Sequence, residues 1–472
     1  MGIASGELRS SNFDPENIAC WLSILDRELA IAPQDPLLHR AMSEAKGVQG
    51  DELGALAHLA TAEILEGYAD GSRAGPPIDL CNIATGFFMK GDPKAAMLWY
   101  QLVLLIDPDM AIAHLNLTAI YSGAGRIAEA EASRENAYKR QRVFIESAAD
   151  PVRRVLVLLL GRGPGNVPID VLLPVKTNCR IKYIIDYAAE DEDAKLPPFD
   201  LVFNAIGEPD RAAPLADRLG RFALRCNRPL LNPPDQVART QRHHMGALLA
   251  DLENVLVAPC IAMASPPPNR AALTELLAGA GIGFPLLVRP EASHGGIGLV
   301  RADCIEALEP SLYVASGAHY LTEFYDYRSP DGYYRKYRII FVDRVAFPYH
   351  LAISTNWMVH YYTANMEESS WKMEEEQHFL QEPSATLGER AMAAIAEIGR
   401  RLDLDYCGID IALLPDGRVL VFEANATMLV HAEPMNGKLG HKNHYVRRIA
   451  DAFEQLLASR CHGVELLGKA VI

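Results

Sequence analysis

The spacing of hydrophobic positions changes near residue 150 and divides the chain into regions of different predicted structure. Before that point alanine and leucine recur at helical intervals and β-branched runs are rare, which predicts an all-α domain over residues 1–148. From 149 to 245, apolar runs such as RRVLVLLL and FDLVFN alternate with helical patterns, which predicts an open-sheet α/β domain. Further apolar runs with hairpin signals occupy residues 246–472. The hydrophobic pattern therefore predicts a multidomain protein.

The helical region contains a repeat with a period of 34 residues. The matching pairs are Phe87 with Tyr121, Gly91 with Gly125 and Ala96 with Ala130. This pattern resembles tetratricopeptide repeats, in which small residues let paired helices pack closely; a generic helical bundle stays open as the alternative. Such repeats offer a groove for a peptide or protein partner, or a surface for a homodimer, but they specify no chemistry.

Composition narrows the classes of function. The formal net charge of −15 argues against a general binder of nucleic acid or anionic membranes, because phosphate contacts need a basic surface. The eight cysteines include no C-x-x-C pair, which indicates reduced thiols rather than a disulfide framework or a zinc site. The sequence shows neither an apolar run of membrane-spanning length nor a signal peptide at its amino terminus. We therefore expect a cytoplasmic protein with neither nucleic acid nor membrane as a partner.

Two strand ends in the α/β region are candidate ligand sites. The turn GRGPG (161–165) suggests a dinucleotide-binding loop, but it lacks the third glycine at the required offset and the expected acidic residue further on. A ligand at the strand ends stays open, because open α/β sheets bind ligands there. Asn204 and Glu208 lie where the strand FDLVFN ends, and we expect them to contact a substrate.

Two apolar runs flank an Asp-Gly dipeptide in the segment GIDIALLPDGRVLVFEANAT (408–427), which predicts a two-residue β-hairpin. In that hairpin Pro415 faces Arg418. Counting back along both strands then places Asp410 directly opposite Glu423. The hairpin is otherwise apolar, so these two carboxylates are predicted to be buried side by side.

Buried, opposed carboxylates need compensation, because like charges across a sheet are destabilising. Asn425 shares the face of Asp410 and Glu423, and carboxylate and amide oxygens suit Mg²⁺, which usually keeps sites for water and phosphate. The alternative is a hairpin whose carboxylates pair with arginine or lysine. The spacing favours the metal site, and a metal of this kind predicts a nucleotide triphosphate nearby.

The stretch VRPEASHGGIGLVR (288–301) joins two apolar runs through a loop with three glycines. Glycines let backbone N–H groups approach an anion without obstruction by a Cβ atom. The loop does not match the G-x-x-x-x-G-K-[ST] pattern, and its glycines suit a plain turn equally well. Taken alone, the stretch leaves a phosphate cradle and a hairpin turn as equal alternatives.

Several motifs after residue 150 occur in the order found in one superfamily. They are an Asn-Pro region (LNPPDQVART), a strand with a basic end and a glycine loop (LLVRPEASHGGIG), a hinge-like strand (YLTEFYDY), Arg338 entering a strand, and the Asp410, Glu423 and Asn425 set. Together they resemble the ATP-grasp superfamily, particularly carboxylate–amine ligases such as glutathione synthetase and D-alanine–D-alanine ligase. The resemblance implies an α+β ATP-grasp fold over 246–472, with a nucleotide lobe to about 330 and a metal and catalytic lobe from about 331.

The resemblance also implies roles for individual residues. The implied ATP-binding residues are Arg242, Arg289, Ser293, His294, Gly295, Gly296, Gly298, Glu323, Phe324, Tyr325, Asp326 and Lys336. The implied magnesium ligands are Asp410, Glu423 and Asn425, the catalytic residues Arg338, His350 and His431, and the substrate residues Asn204, Glu208, Trp357 and His360. The family commonly has lysine where this chain has Arg242 and Arg289. The acidic run MEESSWKMEEEQ (366–377) is expected to be a solvated loop or lid.

The implied reaction uses Mg²⁺ and ATP and has two steps. A substrate carboxylate attacks the γ-phosphate to give an acyl phosphate and ADP, and an amine then displaces phosphate to leave an amide. The expected substrates are the carboxylate and the amine of amino acids or peptides. Two alternatives stay open: a small-molecule kinase with a hydroxyl acceptor, and a repeat-based interaction scaffold with a nucleotide-binding domain.

Overall fold

A computed structural model of the chain describes residues 13, 15–73, 75–162, 164–293, 295–314 and 317–468. It separates into two compact units, Met1–Arg142 and Val143–Ile472. The division falls six residues before the boundary that the sequence predicts, because Val143–Glu146 already forms a strand of the second unit. Within the described residues, no helix is long and apolar enough to cross a membrane.

The described part of the first unit is helical. Its helices are α1 (Ile18–Ile31), α2 (Pro36–Gln49), α3 (Glu52–Ala69), α4 (Ile78–Met89), α5 (Pro93–Ile106), α6 (Ala111–Gly123) and α7 (Ile127–Arg140). Gly91 lies between α4 and α5 and Gly125 between α6 and α7, both at positive φ, and Ala96 and Ala130 are both buried. The repeated positions thus occupy equivalent places in two helix pairs. Their assignment to tetratricopeptide repeats stays a prediction.

The second unit begins with a five-stranded sheet in the order β1-β3-β2-β4-β5. Its strands are β1 (Val143–Glu146), β2 (Arg153–Leu159), β3 (Asn178–Ile184), β4 (Leu201–Asn204) and β5 (Leu230–Leu231). All neighbouring pairs are parallel except the antiparallel edge strand β1. The short helices α8 (Pro209–Ala212), α9 (Ala216–Arg225), α10 (Pro234–Ala238) and α11 (Arg242–Leu248) follow β4 and β5. The predicted open α/β layer is therefore present.

Two further sheets follow in the chain. The first, in the order β7-β10-β8-β9, is antiparallel, and the second has the order β12-β11-β13-β14-β6. The strands are β6 (Val255–Val257), β7 (Cys260–Met263), β8 (Leu286–Pro290), β9 (Val300–Ala302), β10 (His319–Glu323), β11 (Tyr334–Val342), β12 (Val345–Ser354), β13 (Tyr406–Leu413) and β14 (Val419–Asn425). The helices are α12 (Arg270–Gly279), α13 (Ile305–Val314), α14 (Ser370–Gln381), α15 (Pro383–Leu387), α16 (Glu389–Leu402) and α17 (Asn443–Gly468).

The β11–β14 sheet is buried on both faces, which explains why its strands are apolar almost throughout. One face packs against α14 and α16, through residues such as Phe379 and Ile395. The other packs against α17 and the first sheet of the unit, where Phe453 contacts Phe203 at a ring-centroid distance of 5.3 Å. Any charged side chain of this sheet must therefore lie at an opening in the packing or find a partner.

The hairpin of β13 and β14 differs from the prediction at two places. Leu414 pairs with Arg418, so the loop contains three residues rather than two. Phe422 is an extra residue between Val421, which pairs with Ile411, and Glu423. The bulge shifts the register by one and offsets the longer loop. The predicted pairing of Asp410 with Glu423 is therefore confirmed, although the two-residue loop was wrong.

Candidate active site

A row of ionisable side chains crosses the β11–β14 sheet. Arg338 on β11 pairs with His350 on β12 and with Asp410 on β13, and Asp410 pairs with Glu423 on β14. Directly paired residues of neighbouring strands point to the same face of a sheet. Lys336 lies two residues before Arg338 and shares that face. The register alone thus brings five of the predicted site residues together.

Asp410 is held by two cations. Its Oδ1 accepts a hydrogen bond of 2.7 Å from Arg338 Nε, and its Oδ2 accepts bonds of 2.9 Å from Arg338 Nη2 and 3.0 Å from Lys336 Nζ. Burial by itself raises the pKa of Asp410, but attraction to Arg338 and Lys336 outweighs burial and lowers it well below the usual range. Asp410 is therefore ionised throughout the physiological pH range.

Glu423 is held by cations from two other elements. Arg242, at the start of α11, donates a hydrogen bond to Glu423 Oε2, and Arg289 Nη1 on β8 lies 3.9 Å from the same oxygen. Burial raises the pKa of Glu423, but Arg242 and Arg289 outweigh it and the net shift is downward. The two arginines at the predicted family lysine positions therefore meet at one carboxylate.

The paired carboxylates have cationic partners. Asp410 and Glu423 are paired with arginine and lysine, as the alternative interpretation of the hairpin supposed. The cations outnumber these two carboxylates, however, and burial together with Arg242 lowers the pKa of Arg289 to about 10. A cluster with this excess of positive charge stabilises a further anion, and a polyphosphate is an anion of that kind.

The oxygen donors of this cluster fit a hard divalent cation. Within the described residues no three His, Cys, Asp or Glu side chains form a metal-binding group; the predicted set has two carboxylates and the amide of Asn425. Asn425 Oδ1 accepts bonds of 2.6 Å from the N–H and the hydroxyl of Thr427, which fixes its orientation. An anionic ligand that draws Lys336 and Arg338 away would expose the carboxylate oxygens of Asp410 to Mg²⁺.

A cavity on one side of this cluster is lined by residues of both later sheets. Its lining includes the charged side chains of Arg242, Arg289, Glu323, Lys336, Arg338, Asp410 and Glu423 and the aromatic rings of Phe324, Tyr325 and Trp357. The Phe324 and Trp357 rings pack edge to face with centroids 5.6 Å apart. Trp357, predicted as a substrate residue, therefore lies with the residues predicted to bind the nucleotide base.

A second cavity adjoins the first at the cluster. It shares Lys336, Arg338, Glu423, His360 and Gly295 with the first. Its other lining residues include His350, His431, Asn425, Tyr349, Tyr361, Tyr362 and Lys442, together with Pro164 and Gly165 of the GRGPG turn. The charged row thus forms the common wall of two cavities, which suits a reaction between two ligands.

The predicted histidines have different surroundings. His350 is buried and stacks on Tyr361 with ring centroids 4.7 Å apart, and burial and Arg338 keep its pKa well below 6.5. His431 is bonded through Nδ1 to the Tyr349 hydroxyl at 3.0 Å and through Nε2 to Glu433 at 3.1 Å. His350 is therefore a neutral wall residue, whereas His431 is oriented by partners on both nitrogens.

The glycine stretch is a hairpin connection that also borders both cavities. Val288 of β8 pairs with Val300 of β9, so the stretch joins antiparallel strands as a plain turn does. Gly295 and Gly296, at φ of 61° and 73°, line the first cavity. His294 lies outside the described residues. The two alternatives left open by the sequence are compatible, because one loop makes the turn and faces the charged cluster.

Other predicted residues lie away from the cavity surface. Ser293 bonds to Pro290 O at 2.7 Å and holds Arg289, Gly298 abuts Pro290, and Asp326 pairs with Arg328. Asn204 is buried and its amide donates to Asn232 O at 2.9 Å. Neither Asn204 nor Asp326 lines either cavity, so the predicted substrate contact of Asn204 and ATP contact of Asp326 have no support in this structure.

Glu208 reaches the site through a close backbone approach. A Cβ atom at the preceding Gly207 would lie 2.6 Å from the carbonyl carbon of Ala426, so only glycine fits beside the turn after β14. Burial and the neighbouring Asp210 raise the pKa of Glu208 to about 7, and Arg242 opposes them. Glu208 therefore acts on the cluster electrostatically and lies behind the cavity wall.

The loop contact with His360 gives a test of the glycine stretch. A Cβ atom at Gly296 would overlap His360 Nε2, whereas one at Gly295 meets nothing within 4 Å. Both glycines have positive φ, so alanine costs about 1 kcal/mol of backbone strain at either position. We expect Gly296→Ala to weaken ATP binding about tenfold more than the matched Gly295→Ala, measured by equilibrium titration. His360→Ala in the Gly296→Ala background should restore much of the loss, and equal effects of the two alanines would contradict the contact.

Comparison with known proteins yields structural matches alone. No family model matches the sequence, and no curated protein matches it. The solved D-alanine–D-alanine ligase from Bacillus anthracis complexed with ATP is 13% identical over 66% of this chain and 99% of that chain, with a TM-score of 0.40. VanG D-Ala:D-Ser ligase from Enterococcus faecalis is 12% identical over 64% of this chain and 99% of that chain, with a TM-score of 0.40.

A third match is to a protein whose name includes the term ATP-grasp. The RimK domain protein ATP-grasp from Sphaerobacter thermophilus is 15% identical over 63% of this chain and 99% of that chain, with a TM-score of 0.37. The chain is similar to ATP-grasp enzymes.

Proposed function

We propose that the protein is an ATP-dependent carboxylate–amine ligase that forms an amide or peptide bond through an acyl phosphate, using Mg²⁺ and ATP and an amino acid or peptide as substrate. The observation that carries the proposal is the wall shared by the two cavities. Its cations, Lys336 and Arg338 with Arg242 and Arg289 beside them, exceed the carboxylates that they contact. A phosphoryl group at this wall would be reached by a nucleotide from one side and an acceptor from the other.

The residues of the first cavity supply what ATP binding needs. Phe324, Tyr325 and Trp357 line the same cavity as the cations and offer apolar and aromatic surface for a base. Arg242 and Arg289 offer planar guanidinium groups that bind phosphate oxygens in a bidentate manner. Backbone N–H groups at Gly295 and Gly296 can approach the phosphates because no side chain intervenes.

Phosphoryl transfer here depends on positioning and charge. Arg338 lies between the two cavities and is always protonated, so it can hold a substrate carboxylate near the γ-phosphate and stabilise the charge that develops. Two anions, a carboxylate and a triphosphate, repel each other in water, and the excess of cations at the wall offsets that repulsion. Asp410, Glu423 and Asn425 would hold Mg²⁺, whose chemistry is to neutralise phosphate charge.

The second step needs an amine near the acyl phosphate. His431 lines the second cavity, and its ring is held by the Tyr349 hydroxyl and by Glu433. Neutral His350 beside Arg338 adds no further positive charge to the acceptor region. An amine bound there would attack the acyl carbon and expel phosphate, which takes up the proton that the amine loses, while His431 orients the neighbouring groups.

Trapping with hydroxylamine tests the reaction class. We expect the protein, Mg²⁺, ATP and a mixture of common amino acids and short peptides to yield ADP together with a hydroxamate, because hydroxylamine attacks an acyl phosphate. Mass spectrometry of the hydroxamate then identifies the acid. ADP and a phosphorylated alcohol without hydroxamate would indicate a kinase. Absence of Mg²⁺-dependent ATP binding would favour the scaffold interpretation and refute both enzyme classes.

A further inference from the structure

Lys442 is a buried cation at the second cavity. It ends the turn just before α17, its side chain is 2% exposed, and it lines the cavity. Its position in the sequence GHKNH matches no motif, and sequence analysis does not single it out. Burying an ammonium group costs free energy unless charged or polar partners compensate for it, so its surroundings show what the site is built to hold.

Two carboxylates face this charge, but neither lies within hydrogen-bond distance of the ammonium group. Lys442 Nζ lies 3.7 Å from Glu376 Oε1 and 3.9 Å from Glu433 Oε1, beyond the usual 2.7–3.2 Å of N–H···O hydrogen bonds. Both carboxylates have other donors. Glu376 accepts bonds from the backbone N–H of Leu351 at 3.2 Å and from the Tyr361 hydroxyl at 2.9 Å. The ammonium donors of Lys442 are therefore left with capacity for another acceptor.

The acidic run that contains Glu376 contributes to this site rather than forming a solvated loop. Ser370–Gln381 is the helix α14, and Glu376 on it is completely buried. The expectation of a loop or lid over 366–377 was therefore wrong for this residue. Burial lowers the pKa of Lys442, and Glu376 and Glu433 oppose that shift, while burial raises the pKa of Glu376.

Aromatic rings fix the position of the ammonium group. Lys442 Nζ lies 3.9 Å from the centroid of the Tyr361 ring and 5.5 Å from that of Tyr349, distances at which cation–π attraction is effective. Burial, Arg338 and Lys442 together keep His350 neutral, so both cations are close enough to repel its protonated form. The second cavity thus has Arg338 on the common wall and Lys442 as a second cation deeper within it.

We propose that Lys442 binds the carboxylate of an amino-acid substrate held in the second cavity, an inference that rests on the proposed ligase function. A carboxylate supplies the acceptors that the ammonium donors lack, in a charge-assisted bond within a region shielded from water. Glu433 lies 3.9 Å from Lys442 and is bonded to His431. A carboxylate and an imidazole therefore lie beside the cation. An α-amino acid carries a carboxylate and an amine on the same carbon. The positive charge of Lys442 and the negative charge of Glu433 match these two groups.

Ligand-observed NMR on the full-length protein tests this assignment. Common L- and D-amino acids, each beside its α-carboxamide, are titrated onto the protein in the presence of Mg²⁺ and ADP. The variant is Lys442→Met, which keeps the aliphatic stem, and the control is Lys438→Met, an exposed lysine four residues earlier. We expect at least one amino acid to bind, its carboxamide to bind at least about tenfold more weakly, and Lys442→Met to lose about the same factor.

The outcomes separate the inference from the proposed function. If Mg²⁺ and ADP bind but amino acids and carboxamides bind equally well, or no amino acid binds, the inference fails and the ATP site stands. Equal amino-acid binding by the Lys442→Met and Lys438→Met proteins would also refute the inference. If the Lys442→Met protein does not fold, the comparison of acid with carboxamide on the unaltered protein still decides. If the unaltered protein does not bind nucleotide, the proposed function is refuted instead.

Discussion

Arg338→Met is expected to reduce ADP formation by about 10²–10³-fold, the loss typical of removing a group that stabilises developing charge. Arg338 is the one residue that lines both cavities and also bonds both oxygens of Asp410 among the described side chains. The variant leaves Asp410 with Lys336 as its cation, so the protein should also lose on the order of 3 kcal/mol of stability. Steady-state ADP release and urea unfolding measure the two effects separately.

A neighbouring arginine supplies the control for this variant. Arg335 lies on the other face of β11 and pairs with Asp331 and Glu375. Arg335→Met should leave ADP formation within about twofold, because surface ion pairs contribute little. Arg338→Lys keeps the charge but not the planar fork, and should recover stability more fully than activity. A folded Arg338→Met protein with normal ADP release would contradict the role of Arg338.

Glu423→Gln is expected to change ATP binding and turnover in opposite directions. The substitution keeps the shape of the side chain and removes a negative charge beside Arg242 and Arg289. ATP without Mg²⁺ should then bind more tightly, since the cations have lost a competing carboxylate. Turnover with Mg²⁺ should fall by about 10²-fold, because a metal ligand is lost and Mg²⁺ no longer neutralises phosphate charge efficiently.

Titration of ATP with and without Mg²⁺ measures the change in ATP affinity of the Glu423→Gln protein. Turnover as a function of Mg²⁺ concentration measures the change in its activity. Glu374→Gln, an exposed position on α14, is the matched control and should alter neither quantity. A structural role for Glu423 predicts that binding and turnover decline together. That joint decline, with the Mg²⁺ dependence unchanged, would rule out Glu423 as a metal ligand.

The sequence predicts the pairing of Asp410 with Glu423 because the register within one hairpin is a local property. Asp410 and Glu423 lie on neighbouring strands of one hairpin, so their pairing follows from the turn. The bulge at Phe422 could not be predicted, because both faces of the hairpin are apolar and the alternation that marks register is missing. The correct pairing therefore rested on two local errors that cancel each other.

The partners of these carboxylates could not be predicted from the sequence. Arg338 is 72 residues from Asp410, and Arg242 is 181 residues from Glu423. Nothing in the sequence states that these cations converge, and so the hairpin appeared to lack compensation. Lys442 was missed for the same reason, since Tyr361 and Glu376 come from distant segments. Function at this site depends on residues that the tertiary structure brings together from distant segments. The family motifs identify only those that are close together in the sequence.

Equilibrium titration of ATP against the unaltered full-length protein, with Mg²⁺ and then with a chelator, tests the central claim most directly. The account predicts saturable binding at a single site, tighter with Mg²⁺ than without it, and weakened at least about tenfold by Arg289→Met. Binding that is absent under both conditions, or that is indifferent to Arg289→Met, would contradict an ATP site at the wall formed by Lys336, Arg338 and Glu423.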